Sequence, residues 1–580
     1  MVVSAPVIYT EKNNCQDCYR CIKQCPVKAI KIEGNSASII QSQCIYCGNC
    51  IQSCPVKAKK FREDIRNAQW LIDSGEKVIA CLAPSWISDF PDYTTGQFFR
   101  ILKRLGFSGV SETAVAAEWI TATSHAWLEK QPNGVYFSSC CPAVVNFICR
   151  YAPELRKNLA PVYSPMLAHG RLLKQTFGEN IKTVFIGPCV AKKEEADCYP
   201  DTINAVITFQ ELLNWMEEEK VVAGVAEETL PDDFIIGKPG KGKLFPIDGG
   251  MLSNIKKDVA ATDIEYMTFS GIKNIREIMK EVPGWNVDHR IFLELMACDG
   301  GCIKGPGSVN QEGLAGKRLK IISHSLIADG DQQKYRELSV SGDAPENHFE
   351  RISPVITCCY SEDEIQDILF SMGKYTEQEE LNCSGCGYDN CREFAKAMLE
   401  GKAERAMCIS YMRKVAQHKA SVLLQKMPSG VVIVDETLHI IDCNRKFAGM
   451  MGKDTQVIFE NNPGLAGADL RQLLPFHKYF SSLITSGEEM IEQDVHDHDN
   501  YFHVSVITIQ KYKILCGIIE NMREPEVQKS IMVSRLKDVV VQNMASVQRI
   551  AYLLGENAAF TESMISSILN SHETEEKVQK

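Results

Sequence analysis

The stretches that decide the fold of this 580-residue chain are three cysteine motifs separated by long intervals. They read SSCCPAVV at 138–145, GPCVAKKEE at 187–195 and ELMACDGGC at 294–302. Disulfide scaffolds are typical of short secreted chains, whereas metal ligation is the better interpretation of many cysteines in a large one. We therefore expect this scattered set to hold an iron–sulfur cluster, because soft thiolates suit iron and sulfide.

The residues around these motifs, 71–373, predict an α/β domain. Short apolar runs, such as VIACL at 78–82 and IFLELM at 291–296, alternate with amphipathic helical segments. Several of the runs end just before a cysteine or before Ala83-Pro84-Ser85. Ligands of open α/β sheets usually bind beyond the carboxyl ends of the strands, so the cysteines stand where a site is expected.

Residues 1–70 contain a repeated pattern, CQDCYRCIKQCP at 15–26 and CIYCGNCIQSCP at 44–55. This is the pattern of two-cluster bacterial ferredoxins, in which the fourth cysteine of each run ligates the other cluster. Zinc knuckles or free thiols are the alternatives, and the spacing and prolines favour clusters that only transfer electrons. The expected ligands of two 4Fe-4S clusters are Cys15, Cys18, Cys21 and Cys54 for the first, and Cys44, Cys47, Cys50 and Cys25 for the second.

Taken in order, the three scattered motifs resemble the catalytic domain of iron-only (di-iron) hydrogenases. The resemblance implies an H-cluster, which is a 4Fe-4S cubane held by Cys141, Cys189, Cys298 and Cys302. Cys302 would also bridge to a di-iron subsite that carries carbon monoxide, cyanide and a small dithiolate. By the same resemblance, Cys140 passes protons as a thiol that titrates not far above neutrality, and Lys192 donates to an iron-bound cyanide. The remaining implied wall residues are Pro84, Ser85 and Met296.

The chain also departs from the catalytic members of that family. Their Met-Pro-Cys is Gly187-Pro188-Cys189, their serine after the cysteine pair is Ala160, and their SPQQ is Ser164-Pro165-Met166-Leu167. Residues 115–134 show no evident pair of glutamates at the places where catalytic members have them, and their GGGQP becomes KGPGS at 304–308. Proton transfer needs groups within hydrogen-bond reach. We therefore expect the first proton donor to remain, the route behind it to be interrupted, and turnover to be slow.

A third cysteine set lies in residues 374–415. Its members are Cys383, Cys386, Cys391 and Cys408. Zinc is a rival for such a pattern, but the spacing resembles a small 4Fe-4S domain of redox and sensory proteins, so one further 4Fe-4S cluster is expected. The other seven cysteines are interpreted as structural: Cys81, Cys149, Cys198, Cys358, Cys359, Cys443 and Cys516.

Residues 416–525 resemble a PAS sensor domain of α+β type. GVVIVDETLHIIDCN at 430–444 predicts two strands around a polar turn, and we assign no ligand to the domain. The tail, 526–580, is predicted to be helical. Its apolar residues repeat as in a two-stranded coiled coil with one buried asparagine, which predicts a homodimer, although a single helix packed on the PAS domain is equally compatible. The repeat comprises Val533, Leu536, Val540, Asn543, Val547, Ile550 and Leu554.

Composition narrows the function further. The net charge of -11 without a basic stripe argues against nucleic-acid binding. There is no uncharged apolar stretch of membrane-spanning length and no secretory signal at the start, so a cytoplasmic location away from membranes is expected. The leading hypothesis is a sensory hydrogenase of low activity that reacts with H₂ and protons. It would exchange electrons with ferredoxin or another redox carrier, and signal to an unidentified downstream protein. The alternatives are a catalytic ferredoxin-dependent hydrogenase and a non-enzymatic iron–sulfur scaffold.

Overall fold

The structure is a computed structural model that describes residues 5–34, 36–221, 235–236, 240–255, 264–326, 349–356, 358–497 and 500–522, together with residues 537 and 544. The chain divides into two compact units, 1–411 and 412–580. The first contains the ferredoxin-like segment, the α/β domain and the third cysteine set. No helix among the described residues is long and apolar enough to cross a membrane. The predicted heptad repeat lies outside the described residues.

The amino-terminal segment is built from short elements that leave the cysteine loops free to wrap a cluster. Strand Ile8–Thr10 pairs with Lys59–Phe61, and Ile30–Ile32 pairs with Ala37–Ile39, both antiparallel. The helices Arg20–Gln24 and Asn49–Gln52 each start inside a cysteine loop. Gly48 and Tyr19, the residues before these helices, have positive φ, which lets the backbone turn tightly.

Two parallel sheets form the α/β domain. One has four strands in the order Gly109–Glu112, Val78–Leu82, Lys182–Gly187 and Ala205–Thr208. The other has three, in the order Ile264–Ser270, Arg290–Met296 and Gly134–Phe137. Val78–Leu82 is buried along its whole length, as expected of a parallel strand that is covered on both faces.

Helices cover these sheets and begin where local capping signals predict. Thr94 and Gln97 form a capping box at the start of Thr95–Arg104, and Pro142 occupies the first position of the helix after Cys141, where proline costs no hydrogen bond. The described helices of the first unit's α/β domain are Ile65–Asp73, Trp86–Asp89, Thr95–Arg104, Ala114–Leu128, Pro142–Tyr151, Pro165–Phe177, Ala191–Asp197, Phe209–Glu218, Gly250–Ile255, Ile272–Glu281, Leu314–Leu326 and Glu362–Ser371. The third cysteine set contributes Cys391–Leu399, and the helix Ile409–Lys426 follows it.

The second unit contains one antiparallel sheet of five strands. Their spatial order is Ile440–Cys443, Gly430–Asp435, Ile514–Asn521, Asn500–Gln510 and Met490–Asp497. The helices are Arg445–Met450, Lys453–Asn461, Leu470–Leu473 and Lys478–Ser486. The first two strands flank residues 435–439 as the sequence predicted, and a separate apolar core lies between the sheet and these helices.

Candidate metal centre

Four strands of the first unit end at one cavity of about 100 Å³. Val78–Leu82 leads into Pro84 and Ser85, and Gly134–Phe137 leads into Cys140 and Cys141. Lys182–Gly187 leads into Cys189, and Arg290–Met296 leads towards Cys302. Because the strands within each sheet are parallel, their carboxyl ends deliver residues that are far apart in sequence to one place.

The cavity brings together most of the residues predicted for the H-cluster. It is lined by Pro84, Ser85, Cys140, Cys141, Cys189, Lys192, Met296 and Cys302. The fourth predicted ligand, Cys298, lies on a smaller adjoining cavity of about 20 Å³ together with Cys141, Cys189 and Cys302. All four predicted cubane ligands therefore share one small space next to the larger cavity.

The donor set of this arrangement suits an iron–sulfur cluster, because soft thiolates are the ligands that such clusters take. Cys141, Cys189, Cys298 and Cys302 line one small space. Within the described part of the chain, no group of three His, Cys, Asp or Glu side chains is arranged to hold a single metal ion. The hydroxyl of Ser85 supplies a second test, because it is buried at the cavity wall and has no hydrogen-bond partner among the residues that the structure describes. A buried polar group of this kind is rarely left unpaired, so a polar ligand in the cavity would fit it.

Lys192 reaches the cavity as a fixed cation. Its Nζ donates to Oε2 of Glu195 at 2.7 Å, and the same oxygen accepts a bond from Ser164 Oγ at 2.9 Å. Burial lowers the pKa of Lys192, but the attraction of Glu195 and of the nearby thiolates outweighs it, and the net pKa is raised. Lys192 is therefore held charged, which suits an anionic ligand.

The pKa of the Cys140 thiol is higher than expected from the sequence, which predicted titration not far above neutrality. Burial raises its pKa to about 12, against the opposing effect of Lys192. The side chain is thus held as a neutral thiol, which can donate a proton but needs a nearby acid to restore it.

Glu294 is the functional residue that sequence reasoning missed. It lies on the strand that leads to Cys298, is 2% exposed, and lines the same cavity as Cys140. Burial raises its pKa to about 7, while hydrogen bonds from the backbone of Met251 and Leu252 and from Thr268 Oγ1 lower it. A carboxyl that titrates near neutrality is suited to accept and return protons. The only sequence signal is a single acidic residue inside the apolar run IFLELM.

Gly187, which stands where catalytic members of the family have a methionine, lies beside the ring of Phe185. A Cβ at Gly187 would lie 2.8 Å from Ala83 Cβ and 2.8 Å from the ring of Phe185. Phe185 itself lines the cavity. The wall is therefore formed by a different aromatic side chain, and the glycine is needed to make room for it.

Apolar side chains occupy the positions at which the sequence predicted an interrupted proton route. Ala160 is fully buried in the apolar core, and Met166 lines the cavity in place of a polar residue. Thr113, directly before the helix Ala114–Leu128, and Ala117 on that helix line the cavity, while Glu118 accepts a bond from the backbone of Gly242 at 2.9 Å. No carboxylate from this helix lines the cavity.

The ferredoxin-like loops adjoin the same centre. Cys47 lines the small cavity shared by the four predicted cubane ligands. Next to it, Gly48 packs so closely on Pro306 that a Cβ would lie 2.5 Å from the proline ring, and Gln52 Nε2 donates to Lys304 O at 3.1 Å. The KGPGS segment at 304–308 is therefore a docking surface for the second cysteine loop.

The remaining predicted cluster ligands occupy loops in their own segments. Cys18 is exposed, Cys15 and Cys54 are half-buried, and Cys21 is buried. Cys25 lies near Cys44 and Cys47, since it contributes with burial to raising the pKa of both thiols. In the third set, Cys383 is exposed, Cys386 and Cys391 are half-buried, and Cys408 is buried directly before the helix Ile409–Lys426.

Comparison with protein families supports this organisation segment by segment. Residues 76–306 match the family described as Iron only hydrogenase large subunit, C-terminal domain. Residues 7–55 match a 4Fe-4S dicluster domain, residues 379–410 match an Fe-S cluster family, and residues 419–491 match a PAS domain. The match over residues 379–410 favours an iron–sulfur cluster over zinc for the cysteines at 383–408.

Curated relatives include proteins with and without hydrogenase names. The chain is 27% identical over 332 residues to iron hydrogenase 1 of Clostridium pasteurianum, covering 47% of this chain and 57% of that protein. It is 25% identical over 282 residues to the human nuclear prelamin A recognition factor, covering 39% of this chain and 62% of that protein. The chain thus spans less than two thirds of these relatives. A solved di-iron hydrogenase of Chlamydomonas reinhardtii superposes with a TM-score of 0.35 at 18% identity, covering 45% of this chain and 88% of that one.

The fold and the matches together define the class of protein. It is a multidomain α/β protein whose central domain matches, over residues 76–306, the iron-only hydrogenase large-subunit family. A two-cluster 4Fe-4S domain precedes that domain, and an Fe-S module and a PAS domain follow it. The family resemblance predicted from the cysteine motifs is confirmed.

Proposed function

We propose that this protein reacts reversibly with H₂ at an H-cluster, with low turnover, and uses its redox state as a signal. The observation that carries the proposal is the cavity in which Cys302, Cys140 and Lys192 meet. Cys302 is the predicted bridge to the reactive metals, Cys140 a proton donor and Lys192 a fixed cation. A chain that needed only a cubane would have no use for the last two side chains in that position.

The cavity residues fit the cofactor. Cys141, Cys189, Cys298 and Cys302 would hold the cubane, and Cys302 would also hold the di-iron subsite. When bound, that subsite supplies a metal that polarises H₂ for heterolytic cleavage. Lys192 and the Ser85 hydroxyl would orient the polar diatomic ligands, because both face the cavity. Apolar side chains, including Phe185 and Met296, line much of the rest and exclude water.

Proton movement is assigned to Cys140 and Glu294. The Cys140 thiol stays protonated at neutral pH and can give its proton to a base in the cavity. The carboxyl of Glu294, with a pKa of about 7, can then restore it, directly or through one water. From Glu294 the next polar group is Thr268 Oγ1 at 3.3 Å, which is half-buried. This route replaces the one that Ala160 and Met166 remove.

Slow turnover follows from the anchoring of Glu294. Its two carboxylate oxygens accept three hydrogen bonds, from Met251 N at 3.2 Å, Leu252 N at 3.3 Å and Thr268 Oγ1 at 3.3 Å. A carboxyl held this way cannot swing freely between Cys140 and solvent. A low rate suits a sensor, since a sensor needs its cluster to equilibrate with H₂ without consuming it.

The remaining segments are assigned to signal transfer. The dicluster domain and the module at 383–408 would carry electrons, with ferredoxin or another redox carrier as the external partner. The PAS domain and the predicted carboxyl-terminal helix would pass the redox state to an unidentified signalling protein, with homodimer formation through that helix. A cytoplasmic location suits thiolate-rich sites of this kind.

A second candidate is a non-enzymatic iron–sulfur protein that lacks the di-iron subsite. It is favoured by the similarity to the nuclear prelamin A recognition factor, whose name does not describe a hydrogenase. Under this alternative, Cys140 and Glu294 would have no partner in the cavity.

An activity assay separates the two functions. The full chain is matured anaerobically with and without the di-iron subsite, and H₂ evolution is measured with reduced methyl viologen. We expect a slow rate that depends on maturation. A rate of zero in both preparations would support the iron–sulfur protein, and a rate equal to that of iron hydrogenase 1 of Clostridium pasteurianum would contradict slow turnover.

A further inference from the structure

The pentapeptide Cys-Pro-Val-Lys-Ala occurs twice in the ferredoxin-like segment, at 25–29 and at 54–58. The two copies have the same backbone. Lys28 and Lys57 have φ values of 50° and 52°, and the backbone N–H of the following alanine donates to the cysteine sulfur at 3.3 Å in one copy and 3.2 Å in the other. The surroundings of the lysine differ between the copies.

Lys57 is exposed, whereas Lys28 is held by the third cysteine module. The Lys28 side chain is 20% exposed, and its Nζ donates to Gly387 O at 2.8 Å and to Ile22 O at 3.3 Å. It also pairs with Asp389 at 3.7 Å and lies 5.8 Å from the ring centre of Tyr388. One ammonium group therefore joins the Cys25 loop to the loop that follows Cys386.

The two loops are packed in direct contact. A Cβ at Gly387 would lie 3.1 Å from Ile22 Cβ and from the backbone N of Lys23, so the glycine is required for the approach. A separate backbone bond, from Ile32 N to Lys402 O at 3.0 Å, fixes the other end of the module on the same domain. Arg276 adds a bond to Pro26 O at 3.2 Å and lies 4.0 Å from Asp389.

Tyr388 packs in the apolar core that the third cysteine module shares with the ferredoxin-like segment. It is 3% exposed, and its hydroxyl is buried with no hydrogen-bond partner among the described residues. Its ring centre lies 5.8 Å from Lys28 Nζ, and it packs in the same apolar core as Cys21, Cys44 and Cys408. A buried, unpaired O–H costs free energy, and a cluster sulfur is an acceptor that would satisfy it.

We propose that the module at 383–408 exchanges electrons with the cluster held by Cys25, Cys44, Cys47 and Cys50, and that Lys28 and Tyr388 form this junction. This inference rests on the cluster assignment of the proposed function. The same second cluster adjoins the H-cluster cysteines through Cys47. It is therefore a branch point, and the first cluster, whose ligand Cys18 is exposed, is the branch that faces an external carrier.

The electron balance is simple. One electron leaves the reduced Cys25 cluster, which becomes oxidised, and enters the cluster at 383–408, which becomes reduced. Splitting one H₂ into two protons supplies two such electrons. A chemical photoreductant such as reduced deazaflavin can supply them instead. Lys28 favours the reduced form of both clusters, because a nearby cation stabilises the added negative charge, and a hydrogen bond from Tyr388 acts in the same direction.

The test uses the full chain with reconstituted clusters, and follows each cluster by EPR during redox titration and after rapid freezing. Lys28→Met is compared with Lys57→Met, its match in the other pentapeptide. We expect Lys28→Met to shift the midpoint potentials of the Cys25 cluster and the 383–408 cluster to more negative values, and to slow reduction of the latter. Lys57→Met should change neither. Equal effects of the two substitutions would overturn the proposal.

Two further variants distinguish an effect on electron transfer from a loss of contact between the third cysteine module and the ferredoxin-like segment. Tyr388→Phe keeps the ring and removes only the hydroxyl, and should shift the same two potentials by less than Lys28→Met. Cys18→Ala disrupts the first cluster, and should leave reduction of the 383–408 cluster by H₂ intact. If that reduction is lost, the first cluster is the true donor and the proposal fails. If H₂ reduces no cluster even in the unaltered chain, the proposed function fails instead, and photoreduction by deazaflavin still decides between Lys28 and Lys57.

Discussion

Cysteine side chains are brought together in different ways in the ferredoxin-like loops and in the cavity beside Cys302. In the loops, three expected ligands of each cluster come from one run of a dozen residues, with backbone turns at Tyr19 and Gly48, and the fourth comes from the other run. In the cavity, the ligands come from strands of two sheets between residues 134 and 302. The ligand positions of the first kind of site depend mainly on local spacing, whereas those of the second depend on the fold. The side chains that line the cavity can therefore differ between proteins that share its cysteines.

Removal of the bridging thiol should have the largest effect on the cavity and none on the loops. We expect Cys302→Ser to abolish H₂ evolution and to prevent stable binding of the di-iron subsite, because no other residue would bridge it. Cys18→Ser, in the exposed part of the ferredoxin-like loops, should disrupt one 4Fe-4S cluster and leave the subsite bound. Iron content and infrared spectra of the two variants measure the difference. Equal loss in both would show that the loops and the cavity are not independent.

Glu294→Gln should lower the H₂ evolution rate by about 10²- to 10³-fold, since it removes a general acid. In the unaltered chain the rate should fall as pH rises through about 7, because Glu294 then loses its proton. The variant should show no such fall. Thr268→Val is the comparison, because it removes the next polar group of the route and keeps the carboxyl itself, so it should lower the rate less than Glu294→Gln and retain the fall with pH. A glutamine variant of unchanged rate and pH profile would remove Glu294 from the proton route.

The same carboxyl should make stability depend on pH. Its pKa is about 7 in the folded protein against an ordinary value of 4.5, so the folded state binds the proton more tightly. The resulting stabilisation is complete below pH 4.5 and is lost as pH rises to about 7, by about 3 kcal/mol. Thermal unfolding of the cluster-free chain between pH 5 and 8 measures this slope. Glu294→Gln should flatten it, whereas Thr268→Val should keep it.

Gly187→Ala tests how the cavity wall differs from that of other hydrogenase domains. The added Cβ would lie 2.8 Å from Ala83 and from Phe185, and overpacking of this kind costs about 1–3 kcal/mol. The double variant with Phe185→Leu should regain most of the loss in thermal unfolding. If Gly187→Ala alone is neutral, Phe185 is not the residue that requires the glycine.

Ala160→Ser should have the smallest effect. The side chain is fully buried in the apolar core and does not line the cavity. A hydroxyl there cannot join a proton route, and it costs about 1–3 kcal/mol if it finds no partner. The H₂ evolution rate per loaded site should stay within about a factor of two, because a hydroxyl outside the cavity is out of hydrogen-bond reach of the proton donor. A large gain in rate would show that the original route survives.

The sequence was informative where function depends on local spacing. The cysteine runs, the apolar strands that precede Cys140, Cys189 and Cys298, and the first two strands of the PAS domain were all predicted. Glu294 was missed because an acidic residue on a buried strand is visible only once Met251, Leu252 and Thr268 surround it. Phe185 was missed for a similar reason, since its ring reaches the cavity only because Gly187 has no side chain.

The most direct test of the central claim is the infrared spectrum of the matured full chain, recorded under argon and then under H₂. The account predicts bands of iron-bound carbon monoxide and cyanide under argon, and a shift of these bands under H₂ that Glu294→Gln slows. Absence of the bands after maturation, or bands that do not respond to H₂, would contradict a hydrogen-reactive centre in this protein.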